Sequence, residues 1–272
     1  MKILYLHNSS GAFVAVIEWL IENDHEVIVL IEGCEDKTHH TTRFSQTIAI
    51  DNRAEFLQKI VSRIESFDAD LIHVTDDLES LKLARQSAPL TPIVFSIHSA
   101  SIVDTFENQE QLKQADRVLA STPDILPKLA PILNAEWYDR PTPKWFRYTG
   151  GRKEGTALMI YSQTFPKDYR DLAKSWCKER KIELTILNRD ETHYNHRDMP
   201  DIYSRFEYVL DFKGYEDHPE SLSKVAKEAA LCGCKIVHDS NLQKVILPGE
   251  LPRVTADKFI NLYKELIARS KG

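Results

Sequence analysis

Apolar residues in this chain follow two alternating rhythms: short β-branched runs, and longer stretches in which apolar positions recur at helical spacing. KILYL (2–6) reads as a strand, and after the polar turn HNSSG the residues Phe13, Val14, Val16, Ile17, Leu20 and Ile21 share one helical face. EVIVLI (26–31) then suits a strand buried on both faces. The theme repeats with a helix over about 53–66, the strand DLIHVT (70–75), a helix over 77–87 and the strand PIVFSIH (92–98). RVLAS (117–121) is a further strand, and Pro123 favours the start of a short helix after it. GCEDKTHHTTRFSQ (33–46) is polar throughout and reads as a loop.

The alternation breaks between Trp137 and Gly155, where prolines, glycines and charges follow no period, and this stretch reads as a linker. It then restarts with TALMIYS (156–162), a helix over 167–180, IELTILN (182–188), a short helix near 199–205 and YVLDF (208–212). A helix over about 218–232, the strand CKIVH (234–238) and a final helix over 256–270 complete the chain. Two successive β/α runs predict an α/β fold of two doubly wound, Rossmann-like parallel sheets facing each other across a cleft. The expected boundaries are 1–140 for the first domain, 141–155 for the linker and 156–255 for the second domain, with 256–272 as a helix placed to cross back. Ligands of such sheets sit beyond the carboxyl ends of the strands, so the residues that follow each strand carry the most information.

Length and composition agree with a folded protein of one large or two modest domains: 272 residues, 42% hydrophobic and 28% charged. A net charge of −6, from 35 basic and 41 acidic residues without a basic tail, gives no strong nucleic-acid or membrane-surface signal. The N-terminus lacks the apolar core of a signal peptide and no run is long enough to span a membrane, so a cytoplasmic protein is expected. Cys34, Cys177, Cys232 and Cys234 form neither a disulfide framework nor paired knuckles, so reduced thiols are expected. Asp68-Ala69-Asp70 enters a strand where a metal-binding Asp-x-Asp has to leave one, and His39, His40, His193 and His196 lie in polar loops without a ligand spacing. No metal site is expected.

HPESLSKVAKEAALCGCKIV (218–237) concentrates the candidate chemistry. Leu222, Val225, Ala226, Ala229 and Ala230 define one apolar face, which leaves Glu220 and Glu228 off the core. Asp217 with Glu220 fits a capping box, Pro219 fits a first turn, and Gly233 fits a helix stop. Lys224 stands four residues from each glutamate and suits two surface ion pairs. The same helix follows a strand, however, so its start points to where ligands arrive. The amides of Ser221, Leu222 and Ser223 are then free to take an anion such as a diphosphate.

The spacing from Glu220 to Glu228 followed by AALCGCKIV resembles the motif of retaining GT-B glycosyltransferases, particularly glycosyltransferase family 4. HEVIVL (25–30), DLIHVT (70–75), VFSIH (94–98) and ADRVLAST (115–122) are similar in content and order to the first half of that family. The resemblance implies transfer of a sugar from a nucleotide-diphosphate sugar, a UDP sugar for instance, to an acceptor hydroxyl, with retention and without a metal. It implies that Glu228 accepts hydrogen bonds from the donor ribose and Glu220 touches the donor sugar. Leu222 and Ser223 would lie near the diphosphate, Gly11 would approach the donor from the other domain, and His98 would face the reacting sugar. Two departures stand out. The Gly-Arg usual after the first strand of the second domain is replaced by YSQTFPKDYR, where Lys167 alone fits the cation for the leaving diphosphate. The usual Gly-Phe-Gly is replaced by Ser221-Leu222-Ser223. The missing Arg favours an alternative, a non-catalytic nucleotide-sugar-binding or partner subunit with the same fold. A Rossmann-type oxidoreductase is disfavoured, because HNSSGAF is not G-x-G-x-x-G.

Overall fold

The computed structural model describes residues 1–6, 13–33, 47–98, 100–121, 123–129, 134–161, 168–188, 196–211, 223–238, 242–251 and 253–272. In chain order the elements are β1 (Lys2–Leu6), α1 (Val14–Glu22), β2 (Glu26–Glu32), β3 (Thr47–Ile50), α2 (Arg53–Phe67), β4 (Leu71–Thr75), α3 (Leu78–Ser87), β5 (Ile93–Ile97), α4 (Phe106–Leu112), β6 (Arg117–Ala120) and β7 (Ala135–Trp137). They continue with β8 (Lys153–Tyr161), α5 (Asp168–Arg180), β9 (Glu183–Asn188), α6 (Met199–Ser204), β10 (Phe206–Asp211), α7 (Lys224–Leu231), β11 (Lys235–His238), β12 (Lys244–Ile246) and α8 (Asp257–Lys271). Two units result: Met1–Pro141 with Thr255–Gly272, and Thr142–Val254.

The first unit is a seven-stranded sheet in the order β3-β2-β1-β4-β5-β6-β7, with every pairing parallel. Chain order reverses direction between β1 and β4, the switch point of a doubly wound sheet. Alternation along each strand divides the core into two layers. Leu4, Leu6, Ile72, Val74, Ile93 and Phe95 pack with Phe56, Ile60 and Ile64 of α2. Ile3, Tyr5, Leu71 and Val94 pack instead with Val16 and Ile17 of α1 and with Phe259, Ile260 and Tyr263 of α8. The spacing of Phe56, Ile60, Ile64 and Phe67 puts one stripe of α2 against the sheet. Burying each of these side chains contributes about 1.5–3 kcal/mol. Asn52 caps α2 by accepting the Glu55 amide, and Asp68 in the left-handed conformation (φ 50°) ends it.

The second unit is a five-stranded sheet in the order β12-β11-β10-β8-β9, parallel except for β12, which runs antiparallel to β11. Its order reverses between β8 and β10. The stretch 141–155, expected as a linker, is part of this unit from Thr142 on. Phe146 is fully buried against Leu158, Tyr203, Val209 and Ala226. Arg253 donates to the carbonyls of Pro143 (2.6 Å) and Phe146, and the Thr142 amide reaches the Val254 carbonyl at 3.1 Å. An aperiodic run of Pro and aromatic residues reads as a loop, yet its rings fill the core. Both units thus have the doubly wound parallel sheet that the alternation predicts. Among the described residues no helix is long and apolar enough to cross a membrane.

Candidate functional site

His98 follows β5 directly, and Asp76 follows the neighbouring β4. The left-handed conformation of Asp76 (φ 54°) turns its carboxylate back over the strand ends. There Oδ1 accepts the His98 amide at 2.7 Å and Oδ2 meets the ring Nδ1 at 2.9 Å. The Tyr138 hydroxyl meets the other ring nitrogen, Nε2, at 2.8 Å. With 9% of its side chain exposed, His98 is held between a carboxylate and a phenol one strand away from the switch point. A carboxylate on Nδ1 orients the ring and supports positive charge on it, which is the arrangement a general base uses. Deeper along the same strands, His73 and Ser96 are completely buried. Burial first, and then neighbouring His98, push His73 well below the ordinary histidine range, so it is neutral.

Beside this pair, Asp77 caps α3 through the amides of Glu79 and Ser80. Arg53 at the start of α2 grips both Asp77 oxygens (2.7 and 2.9 Å), Glu32 (2.6 Å) and Glu79 (2.8 Å). Burial works against the charge on Asp77, but the bonds from Arg53 and Ser80 outweigh it and hold its carboxyl below the usual range. This cluster joins the ends of β2, α2 and α3, which stiffens the frame of the His98 pair.

In the second unit, α7 departs from expectation at two points. Its N-cap is Ser223, whose hydroxyl accepts the Ala226 amide at 3.1 Å, so the helix begins at Lys224 rather than near Pro219. The first amides of the helix are therefore those of Lys224, Val225 and Ala226, and the Ala226 amide is taken by the cap. Glu228, expected off the core, is 3% exposed. It stands about 200° around the helix from Ala226, on the face away from the sheet. The residue that covers that face is His196, whose Nε2 lies 2.6 Å from Glu228 Oε1 and whose ring packs on Phe146 at 4.9 Å and Trp145 at 6.0 Å. Burial first, then Lys224, lower the His196 pKa despite Glu228. A neutral ring donating its Nε2 hydrogen to the carboxylate fits this geometry. Lys224 Nζ adds an ion pair at 3.6 Å.

Glu220, Ser221, Leu222, Gly11 and Lys167 lie outside the described residues. The described members, His98, Ser223 and Glu228, fall in different units: His98 in the first, Ser223 and Glu228 in the second. Asp76, Tyr138 and His196 were not anticipated. Asp76 and His98 each stand one residue past the end of adjacent strands, a signal visible once β4 and β5 are paired. His196 was weighed only as a metal ligand. Cys232 and Cys234 are fully buried, and burial foremost pushes both thiols up to about 12. Among the described residues no three His, Cys, Asp or Glu side chains gather as a metal site requires.

No protein-family model matches the chain, and no curated protein matches its sequence. Solved structures do match. The UDP-GlcNAc 2-epimerase from Methanocaldococcus jannaschii shares 9% identity over 97% of this chain and 100% of that chain, with a TM-score of 0.56. The UDP-GlcNAc 2-epimerase from Neisseria meningitidis bound to UDP-GlcNAc shares 14% over 87% and 81%, with a TM-score of 0.53. The S. aureus MnaA–UDP co-structure shares 12% over 99% and 89%, with a TM-score of 0.52. At such identities the likeness is one of architecture, and the architecture is GT-B: two parallel-sheet α/β domains.

Proposed function

We propose that this protein is a GT-B glycosyltransferase that moves a sugar from a nucleotide-diphosphate sugar to an acceptor hydroxyl, with retention and without a metal. The observation that carries transfer to a hydroxyl is the Asp76–His98 pair at the carboxyl ends of adjacent strands beside a switch point, where a base is held ready; retention rests on the resemblance of the Glu220–Glu228 motif and requires attack from the face that the diphosphate leaves. Glu228 serves the donor ribose, and His196 presents that carboxylate; a ribose hydroxyl shares it with His196 or takes its place. Glu220 orients the donor sugar, and Gly11, Ser221, Leu222 and Ser223 approach the diphosphate. Lys167 meets the charge that grows on the leaving diphosphate, so that positioning and fixed charge supply the rate. The similar structures bound to UDP-GlcNAc and to UDP support a sugar-nucleotide ligand and favour UDP among nucleotides.

The two similar UDP-GlcNAc 2-epimerases favour one second reading, an epimerase acting on the donor itself. Calorimetry against UDP-, GDP-, ADP- and CMP-sugars, with Glu228→Ala alongside, tests ligand class, and no binding to any of them sinks both readings. Incubation with the bound donor then separates outcomes: sugar transfer or donor hydrolysis supports the transferase, the C2 epimer of UDP-GlcNAc supports the epimerase, and binding without turnover supports a non-catalytic subunit. Turnover that survives a chelator supports the metal-free route, and turnover unchanged in Lys167→Ala refutes the role given to that residue.

A further inference from the structure

Two runs of hydrogen-bonded polar side chains lie in the first unit, one at the strand ends and one reaching the C-terminal helix. Asp76 Oδ2 meets His98 Nδ1 at 2.9 Å, and His98 Nε2 meets the Tyr138 hydroxyl at 2.8 Å. A second run begins at Ser96, whose Oγ lies 2.6 Å from His73 Nε2. His73 Nδ1 lies 2.5 Å from the Tyr263 hydroxyl of α8, which lies 2.8 Å from the Tyr5 hydroxyl. Tyr5, His73, Ser96, Tyr138 and Tyr263 are each exposed by 1% or less. Phe13 fills the space alongside, with its ring 4.3 Å from His73, 5.8 Å from Tyr138 and 5.9 Å from His98. Each of these five buried groups therefore depends on its neighbours for hydrogen bonds.

Hydrogen-bonding capacity sets the direction of each run. The ionised Asp76 only accepts, so Nδ1 of His98 carries the hydrogen, and in the neutral ring Nε2 carries the lone pair and takes the Tyr138 hydroxyl hydrogen. At the far end Tyr5 donates to Tyr263; if it only accepted, its buried hydrogen would have no acceptor. Tyr263 then donates to His73 Nδ1, and the hydrogen on His73 Nε2 goes to Ser96.

We propose that Tyr138 is a positioning residue for His98: with its ring packed on Phe259 of α8 (5.2 Å), it holds the imidazole with hydrogen on Nδ1 and the lone pair on Nε2, the form able to take a proton from a hydroxyl. The use of that form rests on the proposed function; the tautomer itself rests on the geometry alone.

Nitrogen-15 NMR of the imidazole rings in the full chain, as wild type, Tyr138→Phe and Ser96→Ala, tests the proposal. In the wild type at neutral pH, His98 is expected to be protonated on Nδ1 and bare on Nε2, and His73 protonated on Nε2. Tyr138→Phe should move the His98 Nε2 resonance downfield towards an unbonded nitrogen, with the hydrogen still on Nδ1. Ser96→Ala removes the partner of His73 and leaves the Tyr138–His98 bond, so the His73 signals should move while the His98 Nε2 signal stays at its wild-type position. His98 protonated on Nε2, an imidazolium at neutral pH, or an Nε2 signal unmoved by Tyr138→Phe overturns the proposal. In an assay that shows turnover, Tyr138→Phe should lower kcat on the order of tenfold with KM for the donor unchanged. A wild-type kcat in that variant also overturns it. Absence of turnover in the wild type refutes the proposed function, and the imidazole spectra still decide the role of Tyr138.

Discussion

A carboxylate that is 3% exposed is stable only if its lost water is replaced, and at Glu228 the replacement comes from His196 and, at longer range, Lys224. Removing the nearer partner leaves a buried acceptor underused rather than a simple gap. His196→Ala should destabilise the second unit by about 2–3 kcal/mol. His196→Gln keeps an N–H of similar reach and should recover most of the loss. Thermal unfolding of the three proteins, with calorimetric binding of UDP alongside, checks both sides of the residue. If His196 only fills space, Ala and Gln will separate by volume in stability and not at all in UDP affinity. If it aims the carboxylate, Gln will bind UDP more tightly than Ala.

At the scale of elements, the end of α7 shows how local chemistry terminates a helix. Cys234 N–H reaches the Ala229 carbonyl at 3.0 Å and Gly233 N–H reaches the Ala230 carbonyl at 2.9 Å, the paired bonds of a Schellman stop, with Gly233 left-handed at φ 84°. A Cβ on Gly233 would also stand 2.5 Å from Arg152 Nη2, which donates to the Cys232 carbonyl. Gly233→Ala should therefore cost about 1–2 kcal/mol from conformation alone, plus whatever Arg152 must yield. Adding Arg152→Ala should cost less in the Gly233→Ala background than in the wild type, a coupling readable in a double-mutant cycle of unfolding midpoints.

The helix stop was legible because Gly in that place has one physical meaning, and so were β1, β2, β4, β5, β8 and β10, whose apolar runs reflect burial on both faces. The short edge strands β3, β7 and β12 were not, since an edge needs few apolar residues. Nor was α4, which buries only Leu112. Glu228 was misplaced because helical periodicity reports the sheet-facing side, whereas its cover is the aperiodic segment at His196. The Asp76–His98 pair depends on which strands are neighbours, and a linear pattern does not contain that. Ser223 shows the same limit at smaller scale: the sequence offers Asp217 as a cap, and the helix is capped by Ser223.

For the whole molecule, each unit contains a buried histidine whose pKa is lowered, His73 in the first and His196 in the second, with burial the leading cause in both. A histidine held neutral when folded but free to protonate when unfolded makes the unfolded chain bind more protons as pH falls. Stability is thus unaffected by these groups above the ordinary histidine value near 6.5 and falls below it, by about 1.4 kcal/mol per pH unit for each histidine, until the folded value is reached. Asp70 and Asp77, whose pKa values are lowered from 3.8, act in a separate and more acid window. Unfolding between pH 7.5 and 5.5 should therefore show a loss in both units that the carboxylates do not cause. Because the units have separate cores, their transitions need not coincide, and hydrogen exchange resolved by segment assigns the loss to each. His196→Gln, which cannot titrate, should flatten the pH slope of exchange in α6 and α7 while that of β1, β4 and α8 is unchanged. Equal slopes in variant and wild type would show that His196 titrates alike in the folded and unfolded protein, and would remove the basis for reading it as a neutral donor to Glu228.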